Sequence, residues 1–165
     1  MRNLQITIIL RILLILTFAM HMLPSVKSTQ LSNMLMNKQI SYDFYVSNQI
    51  NSNYYSIPFF ILVLLNVWFT YFNSKKRNNG RILMKEIVIP ETNLDDDERE
   101  SEITGKSAKA AFSVVIVFSF VILSLFPMAI SFFNELAAYS VFAVAALPII
   151  GLITYFITYK VLYSR

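Results

Sequence analysis

Few side chains in this sequence have the type and spacing to do chemistry, and each candidate lacks something its chemistry needs. Gly105, Lys106 and Ser107 end like a phosphate-binding loop, whose backbone amides would cradle a nucleotide, but that loop requires Gly where Glu100 stands. Asp95, Asp96, Asp97 and Glu98 form an acidic run without the alternate-residue ligands and central Gly of a calcium loop, so it is at most a loose attractor of cations. His21 is the one histidine, which leaves a paired-His haem site or a Ser/His arrangement without support. With no Cys, disulfides, thiolate metal ligands and a Cys nucleophile drop out together. No carboxylate lies deep in an apolar run, because Glu135 falls in a turn, and a proton-coupled exporter would need one. The expectation is a protein that is not an enzyme and carries no cofactor or metal.

The elements that hold these residues are set by hydropathy. Of 165 residues, 56% are hydrophobic and 15% charged, with mean hydropathy +0.55. A soluble fold of this size cannot hide so much apolar surface, and runs near 20 residues are the mark of bilayer-spanning helices. Four such runs stand out: Leu4 to Leu23, Ile57 to Phe72 (or from Tyr54), Ala110 to Phe133, and Ala137 to Tyr159. The first has the charged start and apolar centre of a signal peptide, but His21, Met22 and Leu23 before Pro24 lack a small-x-small cleavage pattern, so it reads as a retained span. The fold class expected is an all-α membrane protein with four transmembrane helices, two hairpins joined by a charged cytosolic segment. Residues 1–73 form the first hairpin with an outer loop over 24–56, residues 74–109 the charged segment, and residues 110–165 the second hairpin with a short basic tail. In the outer loop Ile40, Tyr42, Phe44 and Val46 alternate with polar residues and Tyr45, which fits either an extended piece on the outer surface or an irregular loop dipping aromatics into the headgroups.

Basic residues supply the orientation. Arg2, the cluster Lys75 to Arg81, Lys106, Lys109, Lys160 and Arg165 all fall on one side of a four-span chain, and the other side keeps Lys27 and Lys38. The positive-inside pattern then puts both termini in the cytosol of a cell whose cytoplasmic membrane holds the protein. Because the net charge of +4 sits mostly beside span ends, its partner is the lipid bilayer and not nucleic acid.

Polar residues within the spans each need a reason to be there, since a charge at membrane depth costs a few kcal/mol. Arg11 and Asn66 lie at similar depth, roughly 10 Å from the same membrane face at about 1.5 Å per residue. They either hydrogen-bond across the first hairpin, with Thr7 and Thr70 nearby, or Arg11 snorkels to the headgroups. On the third span Ser113, Ser124 and Ser131 share one helical line, and on the fourth Ser140, Gly151 and Thr154 share another. Small and hydroxyl residues let helices approach closely in lipid, so the two lines are expected to face each other. Pro127 and Pro148 fall at different depths, which argues against the level, broken-helix ion site of a transporter.

In the charged segment, Asp95 with Glu98 has the form of a helix N-cap and capping-box acid, and Glu102 with Lys106 is a favourable i, i+4 pair. A helix starting there can run unbroken into the third span. The stretch Asp97, Glu98, Arg99 and Glu100, then Ile103, then Lys106 to Ala108, just before a hydrophobic hairpin, resembles a family of small predicted four-span membrane proteins of bacteria and archaea with no characterised function. That resemblance covers about Asp95 to Tyr159 and implies fold and membrane residence, with no activity to carry over. The functional expectation is a protein that acts by association, as an accessory subunit or a regulatory, immunity-like partner of a membrane complex. Glu98, Arg99, Glu102 and Lys106 are its candidate contacts with another membrane or cytosolic protein, or with a second copy. The alternative is a small oligomeric transporter or channel component.

Overall fold

The computed structural model describes residues 2–49, 53–77, 98–132 and 136–164, and among these the side chains of 4–49, 54–72, 98–125 and 138–164. Every regular element in them is helical: α1 (Arg2–Met36), α2 (Tyr42–Ser47), α3 (Asn53–Arg77), α4 (Glu98–Phe132) and α5 (Leu136–Tyr163). Four of these, all but α2, are long and apolar enough to cross a membrane, and the chain is a multi-pass membrane protein on that footing. In hydrocarbon the backbone amides have no water to bond, so an apolar segment there must satisfy them within its own helix.

α3 runs on past the expected Phe72 to Arg77, into the charged segment, and two larger features differ from the sequence expectation. The first helix does not stop at Leu23 but continues through Pro24 to Met36, a length of about 52 Å for its 35 residues. Residues 42–47 are neither extended nor irregular. Ser41 caps a short helix by accepting the Phe44 N–H at 3.3 Å, so a local cap overrides the period-two pattern. By contrast α4 is continuous from Glu98, so the charged helix and the third span form one rod as expected. The apolar stretch 82–89 and the N-cap at Asp95 lie outside the described residues.

The helices form a row. α3 packs on α1, α1 on α5, and α5 on α4; among the described residues α3 does not approach α4 or α5. Each neighbouring pair runs antiparallel. In the first hairpin His21 meets Ser56 and Leu10 meets Asn66. In the second, Tyr139 donates to the Ile122 carbonyl at 3.0 Å, while Gly151 meets Val115. Between hairpins, Leu4 and Ile8 of α1 join Tyr155 and Tyr159 of α5 and Ile103 of α4 in the main buried cluster. Ala19 and Ala145, both buried, lie about four helical turns from that cluster along α1 and α5.

The face that α4 turns to α5 corrects the serine line. Ser113 and Ser124 are exposed, and their hydroxyls donate to the carbonyls of Lys109 and Phe120 one turn back, at 3.0 and 2.8 Å. With its donor satisfied within its own helix, a serine can face lipid at little cost. The α4 face toward α5 instead carries Ser107, Ala111 and Val115, nearly opposite the expected line. Of the line on α5, Gly151 does meet α4, and Ser140 and Thr154 are half-buried. Ser131 lies on α4, but its side chain is outside those described.

A Cβ at Gly151 would stand 3.0 Å from Val115 Cγ2, whereas one at Gly105 would meet nothing within 4 Å. Gly151→Leu therefore separates α4 from α5 and lowers stability by about 1–3 kcal/mol, read as a drop in thermal unfolding temperature in detergent. Gly105→Ala, on the same scale, gains about 0.5–1 kcal/mol by removing a flexible residue from a helix interior.

Candidate functional site

Two groups of polar residues are candidates: the seam around Arg11, and the exposed edge of α4. The seam follows from helical spacing. Leu4, Ile8 and Arg11 repeat at four and three residues and so share one face of α1. Tyr155 and Tyr159 share a face of α5, with near-parallel rings 6.1 Å apart, and Tyr163 continues the stack at 5.9 Å. Arg11 is 9% exposed and within electrostatic reach of Tyr155, so its charge lies between the hairpins rather than at a lipid-facing surface.

Asn66 crosses the first hairpin, but its partner is backbone. Its Nδ2 donates to the Leu10 carbonyl of α1 at 3.2 Å and to the Leu62 carbonyl of its own helix at 3.0 Å. Arg11 and Asn66 thus belong to one hairpin yet serve different neighbours, Arg11 on the α5 side and Asn66 on the α3 side. An amide that bonds carbonyls holds α3 to α1 without depending on any side chain of α1.

Sequence reasoning missed four participants. Tyr155 and Tyr159 are the most deeply placed large side chains of the seam, and their spacing of four, continued at Tyr163, was the signal available. His21, the one histidine, lies with Nδ1 3.0 Å from Ser56 Oγ and its ring stacked 5.3 Å from Phe59. It ties the far end of the first hairpin. Thr104 is the fourth: it is buried, and its Oγ1 has no hydrogen-bond partner.

The beginning of α4 has two unlike sides. Ile103, Thr104 and Ser107 are buried, and Ser107, fully enclosed, donates its hydroxyl to the Ile103 carbonyl at 2.8 Å. Glu98, Arg99, Glu102 and Lys106 are exposed, with Lys106 Nζ 2.6 Å from Glu102 in an i, i+4 pair. The acids Glu98 and Glu100 in the first turn suit the positive end of the helix dipole. One side clamps the rod to the bundle, and the other presents alternating charge to water.

Among the described residues no group of three His, Asp or Glu side chains could hold a metal ion. No protein family, curated protein or solved structure matches the chain, so the resemblance carried by residues 97–112 rests on those residues alone.

Two substitutions separate the roles described. Asn66→Leu keeps the apolar volume but loses the cross-hairpin bond, and lowers stability in detergent by about 1 kcal/mol. Thr104→Val replaces an unpartnered buried hydroxyl by a methyl of the same shape. It raises stability by about 1 kcal/mol in the same thermal assay, because an unmade hydrogen bond no longer has to be desolvated.

Proposed function

We propose that the protein resides in the cytoplasmic membrane with both termini in the cytosol and works by association, as an accessory subunit or a regulatory, immunity-like partner of a membrane complex. It performs no catalysis in this reading. The orientation rests on charge: Lys106, Lys109 and Lys160 belong to the end that gathers the N-terminus of α1 and the C-termini of α3 and α5. Lys27 and Lys38 belong to the other end.

The observation that carries the reading is the exposed edge of α4. A charged helix free in water fluctuates, and ordering it on binding costs entropy. Here Ile103, Thr104 and Ser107 hold the helix against the bundle, so Glu98, Arg99 and Glu102 are presented by a helix already ordered. Pre-ordering lowers the cost of docking a partner, and alternating charges set its register and specificity more than its affinity. The partner is a membrane or cytosolic protein with a complementary charged edge.

Crosslinking in native membranes, followed by mild-detergent purification and mass spectrometry, tests this. A stoichiometric second protein is expected with the wild type and lost with Glu98→Lys, Arg99→Glu and Glu102→Lys combined, while the variant still inserts and unfolds at the wild-type temperature. A homo-oligomer with nothing else attached overturns the reading and directs work to liposome flux, where a small transporter or channel component would show itself.

A further inference from the structure

The far end of the first hairpin carries more helix than a bilayer needs. α1 runs on to Met36, while its antiparallel partner α3 starts only at Asn53, and the His21–Ser56 contact fixes the level at which the two lie side by side. At about 1.5 Å per residue, the last dozen residues of α1 rise roughly 18 Å past the first turn of α3. The headgroup layer beyond the hydrocarbon is only about 5–7 Å deep on each side. The chain then turns back. Lys38 adopts a left-handed conformation (φ 57), the Gln39 N–H bonds the Met34 carbonyl at 2.9 Å, and α2 comes to lie against α1. Residues 48–52 separate α2 from α3, a tether of at most about 20 Å when fully extended. The tether thus keeps the short helix within about 20 Å of the level where Tyr54 and Tyr55 open the apolar span of α3.

α2 has a finished backbone and an unfinished surface. Its N-terminus is capped by Ser41. At its other end Ser47 Oγ and Asn48 Nδ2 both donate to the Phe44 carbonyl, at 3.1 and 2.9 Å. Yet none of its residues is buried, and Tyr42, Phe44 and Val46 are 67%, 49% and 52% exposed. At about 100° per residue, Asp43 and Ser47 share one narrow polar edge, and Tyr42, Phe44, Tyr45 and Val46 fill the remaining arc. Tyr45, opposite the polar edge, is half-buried, and its ring lies 6.4 Å from that of Tyr42.

We infer that α2 is an interfacial anchor whose aromatic arc lies in the headgroup layer of the bilayer that α1 and α3 cross, with Asp43 and Ser47 turned to water. The occupant of the exposed arc is lipid because the arc continues a surface already facing lipid. Tyr54, Ile57 and Phe60 of α3 are exposed at the end of the span that the tether can reach. The composition fits as well, since aromatic rings with one polar tip, such as Tyr42 and Tyr45, are favoured at the membrane interface. A helix with a polar edge opposite an apolar arc is the shape that lies in the interface plane. Anchoring α2 constrains how far the overlong α1 stands out of the bilayer, and so constrains its tilt.

The test uses the full chain reconstituted in phosphatidylcholine vesicles, with Phe44→Trp introduced into a Trp68→Phe background so that one tryptophan reports on α2. The expected result is blue-shifted emission, most of it lost to lipids brominated near the carbonyl, less to lipids brominated near the chain end, and little to acrylamide in the water. Water-like emission quenched by acrylamide and not by brominated lipid overturns the inference. Shielding from both quenchers overturns it too, and assigns the arc to a protein contact. Tyr42→Trp in the same background repeats the reading from a second position on the arc, so that a local defect at residue 44 is distinguished from a misplaced helix.

Discussion

The contact on which the rest depends is the seam between α1 and α5, because among the described residues it is what joins the two hairpins. In water such a seam would be driven by apolar burial. In lipid that drive is missing, since acyl chains are as apolar as leucine, and helices stay together through packing and polar contacts. The seam supplies both. Leu4 and Ile8 pack on stacked tyrosines, and Arg11 keeps its charge among protein groups rather than in acyl chains. Arg11 is thereby tied to the side of α1 that α5 covers. Turning α1 about its axis would present that charge to hydrocarbon, so an expensive residue fixes the orientation of the central helix.

Once α1 is oriented, its remaining faces are assigned. One side receives α3 through the Leu10–Asn66 and His21–Ser56 contacts, at two heights of the same hairpin. Both contacts are local ties and neither builds a buried core, and α3 accordingly keeps most of its large apolar side chains exposed. The second hairpin is built differently. α4 and α5 approach closely enough at Val115 and Gly151 that a side chain at residue 151 must displace Val115. The molecule thus pairs a loosely held helix at one edge of the row with a tightly packed hairpin at the other.

That tight packing extends past the apolar span into the charged part of α4. Ile103 and Ser107 remain buried where the sequence has already turned polar, so the start of α4 is fixed to the bundle before it reaches water. Mechanically, a force or a partner acting at Glu98 or Glu102 is transmitted to α5, and through the tyrosines to α1, along one connected set of packed side chains. For the association-based role proposed above, the exposed charges and the seam belong to one connected set of packed side chains.

Hydropathy alone determined the number of long helices and where their apolar parts lie, because the bilayer leaves an apolar segment no other way to satisfy its backbone, but not how far α1 and α3 run beyond those parts. The continuity of the charged rod with the third span was also legible, since residues 98–110 favour helix and contain no proline. Helix faces were not. Ser113 and Ser124 read as packing residues because a hydroxyl in lipid was expected to need a neighbouring helix, whereas each is satisfied by a carbonyl one turn back and leaves the contact to Ala111 and Val115. Nor was it legible that Arg11 would serve α5 while Asn66 bonds the backbone beside it, since depth in the bilayer is a one-dimensional coordinate and says nothing about rotation around the helix axis. The helix at Tyr42–Ser47 escaped for a related reason: six residues carry too little periodicity to outweigh a capping serine. Sequence settled which segments are long and apolar enough to cross a membrane. Which side of each helix meets which neighbour was decided by close packing, which depends on three helices at once.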